Sequence, residues 1–405
     1  LRRAGALWIV LFAAYAATLG LDAFGNSNYG GDEPHYLLAA KSLVEDGDVD
    51  LKDEYAERSY ASFYPYELDP HGSETDGRLR ETHGVGFPLL IAPAYAIAGP
   101  VGVELFLAAL AALAVALAYL LALRAVPDPW ALGAAAAVGL SPPFLAYGTA
   151  VYPALAAAAA LTGAALLALR LEQQVSRKAA FGCFAALGTL PWLGPKFIPA
   201  GIVVGVFAAR ALLRARRRTL ALGASEAAAF SVALYIAFNE ALYNGPTPYS
   251  AGSTGQTATG ADSAGDYLER TDRLVTLFID PSHGLLRWAP LFALAFVGLW
   301  ILYRSRRDHL AHAAPRVEEM ERVAVLCAAV LGAQLIVAAF LAPTMSGPWF
   351  PPRHLLAALP LAIPLVALGL RRLPRPGIAL IVLTLGTTAW LYLDVLLGAG
   401  ELARP

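Results

Sequence analysis

Asp32 and Glu33 stand side by side in Gly30-Gly31-Asp32-Glu33-Pro34-His35-Tyr36, shortly after the first apolar stretch of the chain. A carboxylate at a membrane surface can act as the base for a hydroxyl proton. Four cations are placed to meet an anion at a common depth. Lys196 interrupts two apolar stretches in Gly194-Pro195-Lys196-Phe197, Arg353 lies in Gly347-Pro348-Trp349-Phe350-Pro351-Pro352-Arg353-His354, and His283 and Arg287 flank the start of another stretch. One such cation alone reads as a helix anchor reaching for the headgroups. Several together, opposite an acidic loop, read better as a clamp on a phosphate. A sugar carried on a lipid phosphate has a good leaving group already, so cations and one base suffice, whereas glycoside hydrolysis needs two carboxylates in paired roles.

The elements that must position these residues are membrane helices. Of 405 residues 58% are hydrophobic and 15% charged, with a mean hydropathy of +0.55. The chain is expected to be an all-α polytopic membrane protein, because apolar stretches near the roughly 20 residues of a bilayer crossing recur throughout. About eleven crossings are expected, at 4–21, 101–123, 130–147, 151–170, 179–194, 196–213, 219–240, 285–303, 321–343, 354–370 and 376–398. The first has no small-residue cleavage site before the loop and is expected to stay as an anchor.

Charge orients the crossings. Eighteen of the 30 basic residues, from Arg2 and Arg3 through Arg214–Arg218 to Arg371, Arg372 and Arg375, fall on alternate loops, which marks the cytoplasmic side. Residues 22–83, on the opposite side, hold 15 acidic residues against five basic ones, a local charge of −10. The apolar segment 85–98 would invert every later loop if it crossed, so it is expected to lie in the outer interface.

Two outer loops stand out. In the first, within an extracytoplasmic region at 22–100, Tyr36, Leu37, Ala40, Leu43 and Val44 recur at helical spacing from Pro34 and predict a short amphipathic helix along the membrane surface. The second, 241–284, runs through the Gly, Ser, Thr and Ala-rich stretch 250–265 and is expected to be flexible, as a lid or a tether. The inner loops are too short for a cytoplasmic catalytic domain, so residues 1–405 read as a single membrane-embedded domain.

Cys183 and Cys327 both fall inside crossings, and no disulfide framework is implied. Asp46, Asp48 and Asp50 lack the glutamate that closes a calcium loop, and no zinc or nucleotide motif is present. No metal site, cofactor or nucleic-acid partner is indicated.

Taken with Tyr147-Gly148-Thr149-Ala150-Val151-Tyr152-Pro153, Gly194-Pro195-Lys196, and Gly347 to Arg353 followed by Leu355-Leu356-Ala357-Ala358-Leu359-Pro360, the Asp32-Glu33 pair resembles the GT-C membrane glycosyltransferases. The likeness is greatest to the branch of protein O-mannosyltransferases and the lipid A aminoarabinose transferase. The resemblance implies a GT-C-like bundle with juxtamembrane helices in the first loop, a polyprenyl-phosphate sugar donor, and inverting transfer of a monosaccharide to an extracytoplasmic hydroxyl of a glycan, lipid or protein. It implies Asp32 as general base, Glu33 as its catalytic neighbour, Lys196 and Arg353 as the phosphate clamp with His283 and Arg287 beside them, and His35, Tyr36, Glu81, His83, Tyr152 and His354 about the sugar and acceptor. Tyr152 stands where relatives often have a second aspartate, His83 lies by a lysine-proline position, and Glu104 replaces a common arginine. Such a protein would sit in a bacterial plasma membrane with its site outside. The rival reading is a transporter or flippase of lipid-linked sugars; only Glu226 suggests an ionisable residue for it.

Overall fold

The computed structural model describes residues 1–75, 77–251, 259–261, 263–307, 315–345, 347 and 349–402. The architecture is all-α, and the chain is a multi-pass membrane protein. Six helices are long and apolar enough to cross a bilayer: Gly86–Ala125, Pro153–Gln173, Pro195–Arg214, Arg218–Ser250, Val317–Leu341 and Pro374–Leu396. A seventh crossing results if Trp130–Gly139 and Pro142–Gly148, bent by 55°, count as one span. The remaining expected crossings are shorter or broken. Arg2–Ala16 has 15 residues, and 285–303 and 354–370 are interrupted by 3-10 turns at Pro290–Phe292 and Leu359–Ala362. In the last two proline is the cause, since it lacks the N–H that a continuing helix needs.

The interior is built from small residues. Pro153–Gln173 buries alanines on every side and packs against Gly86–Ala125, Arg177–Gly188 and Ile198–Arg214. Ala293–Arg307 and Ile363–Arg372 approach so closely that a Cβ on Gly298 would lie 2.3 Å from the Leu365 carbonyl oxygen. Without a hydrophobic drive inside lipid, such close backbone contact is how helices hold together. Arg218–Tyr243 and Pro374–Leu396 flank this core and leave Leu222, Phe230, Leu234, Val382, Leu383 and Leu393 exposed, as lipid-facing helices do.

The segment 85–98 is helical and is set off by a kink from the crossing at 101–123. Within Gly86–Ala125, Ala98 and Gly99 leave helical geometry just before Pro100. The first loop holds the predicted helix, Glu33–Glu45. It does not show the apolar face of a surface-lying helix. Residues 33–40 are all buried, and the helix packs into the bundle against Gly86–Ala125. Further along the first loop Ser73–Thr75 and Arg78–Arg80 pair antiparallel with Thr75 opposite Arg78; Asp76 between them lies outside the described residues.

In the second loop the described parts are tied down. Ser263 and Asp266 form a capping box at the head of Ala264–Glu269, and Arg270 donates to the carbonyls of Phe340, Thr259 and Gly260. Most of the Gly and Ser-rich stretch, 252–258 with 262, is outside the described residues, as are Ser346 and Pro348 of the Arg353 motif.

Candidate active site

The turn at Gly30–Asp32 is pinned from two sides. Gly31 adopts φ +58°, which turns the chain so that Asp32 precedes the first residue of the Glu33–Glu45 helix. Glu33 is buried, and both its oxygens accept backbone N–H groups, from Gly30 at 2.8 Å and Val151 at 2.6 Å. The Tyr152 hydroxyl donates to the Gly30 carbonyl at 2.8 Å. Desolvation pushes the Glu33 carboxyl up to about 8, against the two N–H donors. Its geometry is that of a strut between the first loop and the 147–153 turn.

Asp32 points the other way, into a cavity of about 440 Å³. It is 20% exposed. The Arg353 guanidinium donates from Nη2 to Asp32 Oδ2, and His83 Nε2 lies 3.6 Å from Oδ1. Burial favours the neutral acid, but Arg353 and then His83 outweigh it and hold Asp32 well below the usual carboxylate range. Arg353 is itself set between aromatic faces, 4.2 Å over the Tyr152 ring and 4.7 Å over Trp349. Tyr147 fastens the same segment by donating its hydroxyl to the Phe350 carbonyl.

Lys196 lines the same cavity. Gly194, at φ +148°, ends the helical turn Leu190–Leu193 and starts the 3-10 turn Pro195–Phe197 that carries the lysine. Among the described residues Lys196 has no ion pair; its Nζ lies 5.4 Å from the Phe197 ring. His354 also lines the cavity, with Nε2 donating to the Thr344 carbonyl at 2.9 Å. Tyr36, Thr247, Tyr249 and Thr259 also line it, so both outer loops contribute.

Behind His83 lies a second layer. His83 Nδ1 faces Glu81 Oε2 at 3.4 Å, and Glu81 Oε1 accepts from the Tyr55 hydroxyl and the backbone N–H of His71. His35 Nδ1 is 2.7 Å from the Tyr55 hydroxyl and 3.4 Å from Glu81 Oε1. Burial would neutralise His83, but Asp32 and Glu81 on either side raise it to about 9. Burial lowers His71 to about 4, with His35 and His83 adding to the effect, and Glu81 is held below its usual range by His35 and His83 despite its burial.

Ten of the twelve residues singled out by sequence thus gather around one cavity and its wall: Asp32, Glu33, His35, Tyr36, Glu81, His83, Tyr152, Lys196, Arg353 and His354. His283 and Arg287 do not line it. His283 folds back on Asp280 at 3.4 Å, and exposed Arg287 stacks 5.0 Å from the Trp288 ring. Asp280 caps this turn by accepting from the backbone N–H of Ser282 and His283, which holds His283 to its own loop. Likewise the Asp48 and Asp50 carboxylates accept backbone N–H groups of Asp50, Lys52 and Leu79. His71, Tyr55 and Tyr249 were not foreseen. Each sits in a polar loop without periodicity, and only the hairpin fold brings His71 to the site.

A second cavity, of about 520 Å³, is apolar and shares two segments of chain with the charged one. Leu331 and Leu335 line it while Gln334 and Val337, on the same helical stretch, line the charged cavity; Leu355 and Arg353 divide in the same way.

The sequence matches no protein-family model and no curated protein. The fold is similar to that of several solved structures. ArnT from Cupriavidus metallidurans, solved in the apo state and bound to undecaprenyl phosphate, superposes with TM-scores of 0.52 and 0.55 at 16% identity over 91% of this chain. The archaeal oligosaccharyltransferase AglB from Archaeoglobus fulgidus, in complex with an inhibitory peptide and a dolichol-phosphate, superposes with a TM-score of 0.50 at 14% identity over 99%. The chain spans 60%, 61% and 56% of the lengths of these three structures. The fold that the sequence resemblance implied is thus one this chain shares with these solved structures.

Proposed function

We propose that the chain is an inverting glycosyltransferase that moves a monosaccharide from a polyprenyl-phosphate donor to an acceptor hydroxyl of a glycan, lipid or protein. The observation that carries this reading is the shared cavity of Asp32, Arg353 and Lys196, with an apolar cavity lined from the same two segments, 331–337 and 353–355. A lipid-linked phosphate needs both compartments, cations for its head and an apolar groove for the start of its tail. The solved neighbours of the same fold bound to undecaprenyl phosphate and dolichol-phosphate support this donor class.

In the proposed reaction Asp32 takes the acceptor O–H proton as that oxygen bonds to the anomeric carbon. The bond from that carbon to the phosphate oxygen breaks, and the electron pair leaves with the lipid phosphate, held by Lys196 and Arg353. Attack from the face opposite the phosphate inverts the anomeric centre. The proton passes to water afterwards. Arg353 has two claims on it, because a bound phosphate competes with Asp32 for the guanidinium. Donor binding then frees Asp32 from its strongest counterion and makes it a better base.

The eleven crossings belong to this reading, with the broken helices at 285–303 and 354–370 counted as spans. So does the orientation, with the basic loops in the cytoplasm of a bacterial plasma membrane and the cavity outside. Asp32→Asn in the full chain tests the base: transfer to acceptor is expected to vanish while polyprenyl phosphate still binds. Near-normal turnover by this variant removes Asp32 from the mechanism, and movement of lipid-linked sugar across vesicles without transfer favours a flippase.

A further inference from the structure

Gln334 borders the charged cavity and takes no part in the base or the phosphate clamp. It interrupts a run, Val323 to Leu341, that otherwise holds only Ala, Val, Leu, Ile, Phe, Gly and one Cys. A carboxamide in such a crossing costs free energy unless both its ends are hydrogen-bonded. Gln334 is 1% exposed, its Nε2 donates to the His354 carbonyl at 2.8 Å, and its Oε1 has no hydrogen-bond partner among the described residues. The bond to His354 fixes which way the amide points, because reversing it would set oxygen against oxygen. Oε1 is therefore an acceptor without a donor. Just beyond it the helix widens into a turn of π-helix, Val337–Leu341, a distortion that recurs at functional sites.

On the glycosyl-transfer reading, one part of the donor can supply that hydrogen bond. A phosphate esterified to both lipid and sugar carries no O–H, and neither does a prenyl tail. The attacking hydroxyl of the acceptor goes to Asp32. We propose that Gln334 is a specificity-determining residue that accepts a hydrogen bond from a hydroxyl of the donor's sugar, and that this sugar is uncharged at that position. The amide is bonded to His354, the residue after Arg353, and all three line one cavity, so the sugar on a phosphate held by Arg353 comes within its reach.

An ammonium could also donate to Oε1, but its charge would go unbalanced. Asp32 is engaged by Arg353 at rest and by the acceptor proton in the reaction, and Glu81 lies behind His83. Lys196 and Arg353 line the same cavity; a phosphate diester offsets one of them and Asp32 the other. A buried ammonium beside them would be an uncompensated charge, which costs far more than a neutral hydroxyl bonded to an amide. A sugar lacking the hydroxyl would leave Oε1 unpaired. Such a penalty discriminates more sharply than the fit of an apolar wall.

The test is equilibrium binding to the full chain in detergent, without acceptor, of undecaprenyl methyl phosphate and of undecaprenyl phosphates carrying glucose, mannose, arabinose or aminoarabinose. The methyl ester is a diester of the same charge with no sugar. The wild type is expected to bind at least one neutral-sugar lipid about tenfold more tightly than the methyl ester, and to show no such gain with aminoarabinose. Gln334→Met should abolish the gain and leave binding of the methyl ester unchanged. Gln334→Glu keeps an oxygen in the place of Oε1 and should retain the gain. No gain in the wild type, or a gain that survives Gln334→Met, overturns the proposal. So does a parallel weakening of all the lipids in Gln334→Met, which would make Gln334 a prop for the Arg353 segment. Equal loss of the gain in Gln334→Glu and Gln334→Met would assign the effect to the His354 bond and also overturn it, and a greater gain with aminoarabinose would overturn the uncharged sugar. Failure of the wild type to bind any of these lipids would sink the polyprenyl-phosphate reading itself, so the two failures are told apart.

Discussion

Glu33 is the residue on which a catalytic and a positioning role can be separated. Its two oxygens accept the buried N–H groups of Gly30 and Val151, at 2.8 Å and 2.6 Å. Glu33→Gln keeps one acceptor oxygen and turns an NH2 toward the other N–H, so one buried donor loses its partner, at a cost of about 1–3 kcal/mol. Glu33→Ala orphans both, at about 2–6 kcal/mol by the same reckoning, with a cavity in addition. Either change loosens the turn that carries Asp32, and a misplacement near 1 Å is enough to slow chemistry about 100-fold. Thermal unfolding in detergent and transfer from a polyprenyl-phosphate sugar are the two assays. The expected pattern is graded and coupled: Gln lowers both stability and turnover, and Ala lowers both further. Wild-type unfolding in Glu33→Gln together with a loss of turnover of about 1000-fold would refute the strut and return Glu33 to proton transfer.

The cavity gives three further expectations. In Arg353→Gln, burial is no longer opposed by the guanidinium, so the Asp32 pKa rises; since a base must be ionised, kcat/KM gains an acid limb that the wild type lacks, and an unchanged profile shape would show that Arg353 does not govern Asp32. Lys196→Ala removes a cation that holds no ion pair among the described residues, so polyprenyl-phosphate binding should weaken at least tenfold with no fall in the unfolding temperature; unchanged binding would take Lys196 out of the clamp. Tyr152→Phe loses only the bond to the Gly30 carbonyl, about 1 kcal/mol, and keeps the ring under Arg353, so turnover should fall less than tenfold; near-total loss would place the hydroxyl on the substrate.

Much of this was legible because the relevant signals are local. Hydropathy located the six helices long enough to cross, and Pro34 marked the start of the helix after Asp32 within one residue. Prolines within apolar stretches were visible too, but whether Pro290 or Pro360 breaks a span depends on the neighbours that take over the freed backbone groups. The burial of the Glu33–Glu45 helix was illegible for a related reason. Its apolar spacing fits a lipid surface as well as a protein one, and only packing against Gly86–Ala125 decides. His283 and Arg287 carried the right charge at the right depth, yet depth is one coordinate of three. Asp280 captured the histidine within its own turn.

Long-range pairing escaped the sequence most completely, and it alters what the motif means. Asp32 and Arg353 are separated by 321 positions, so nothing in either motif announces their bond. Read separately, one is a base and the other a phosphate clamp. Joined, they make base strength depend on whether phosphate is present. At rest Arg353 holds Asp32 as a weak base, which suits a site open to water, where a strong base would gain nothing without a donor. On the proposed reading, a donor phosphate between Arg353 and Lys196 draws the guanidinium off and leaves burial to raise the Asp32 pKa. His83, between Asp32 and Glu81, remains to keep the carboxylate in place while Arg353 is shared. The acceptor hydroxyl therefore meets an activated base only after the donor has bound, which makes donor-first binding a consequence of the Asp32–Arg353 pair.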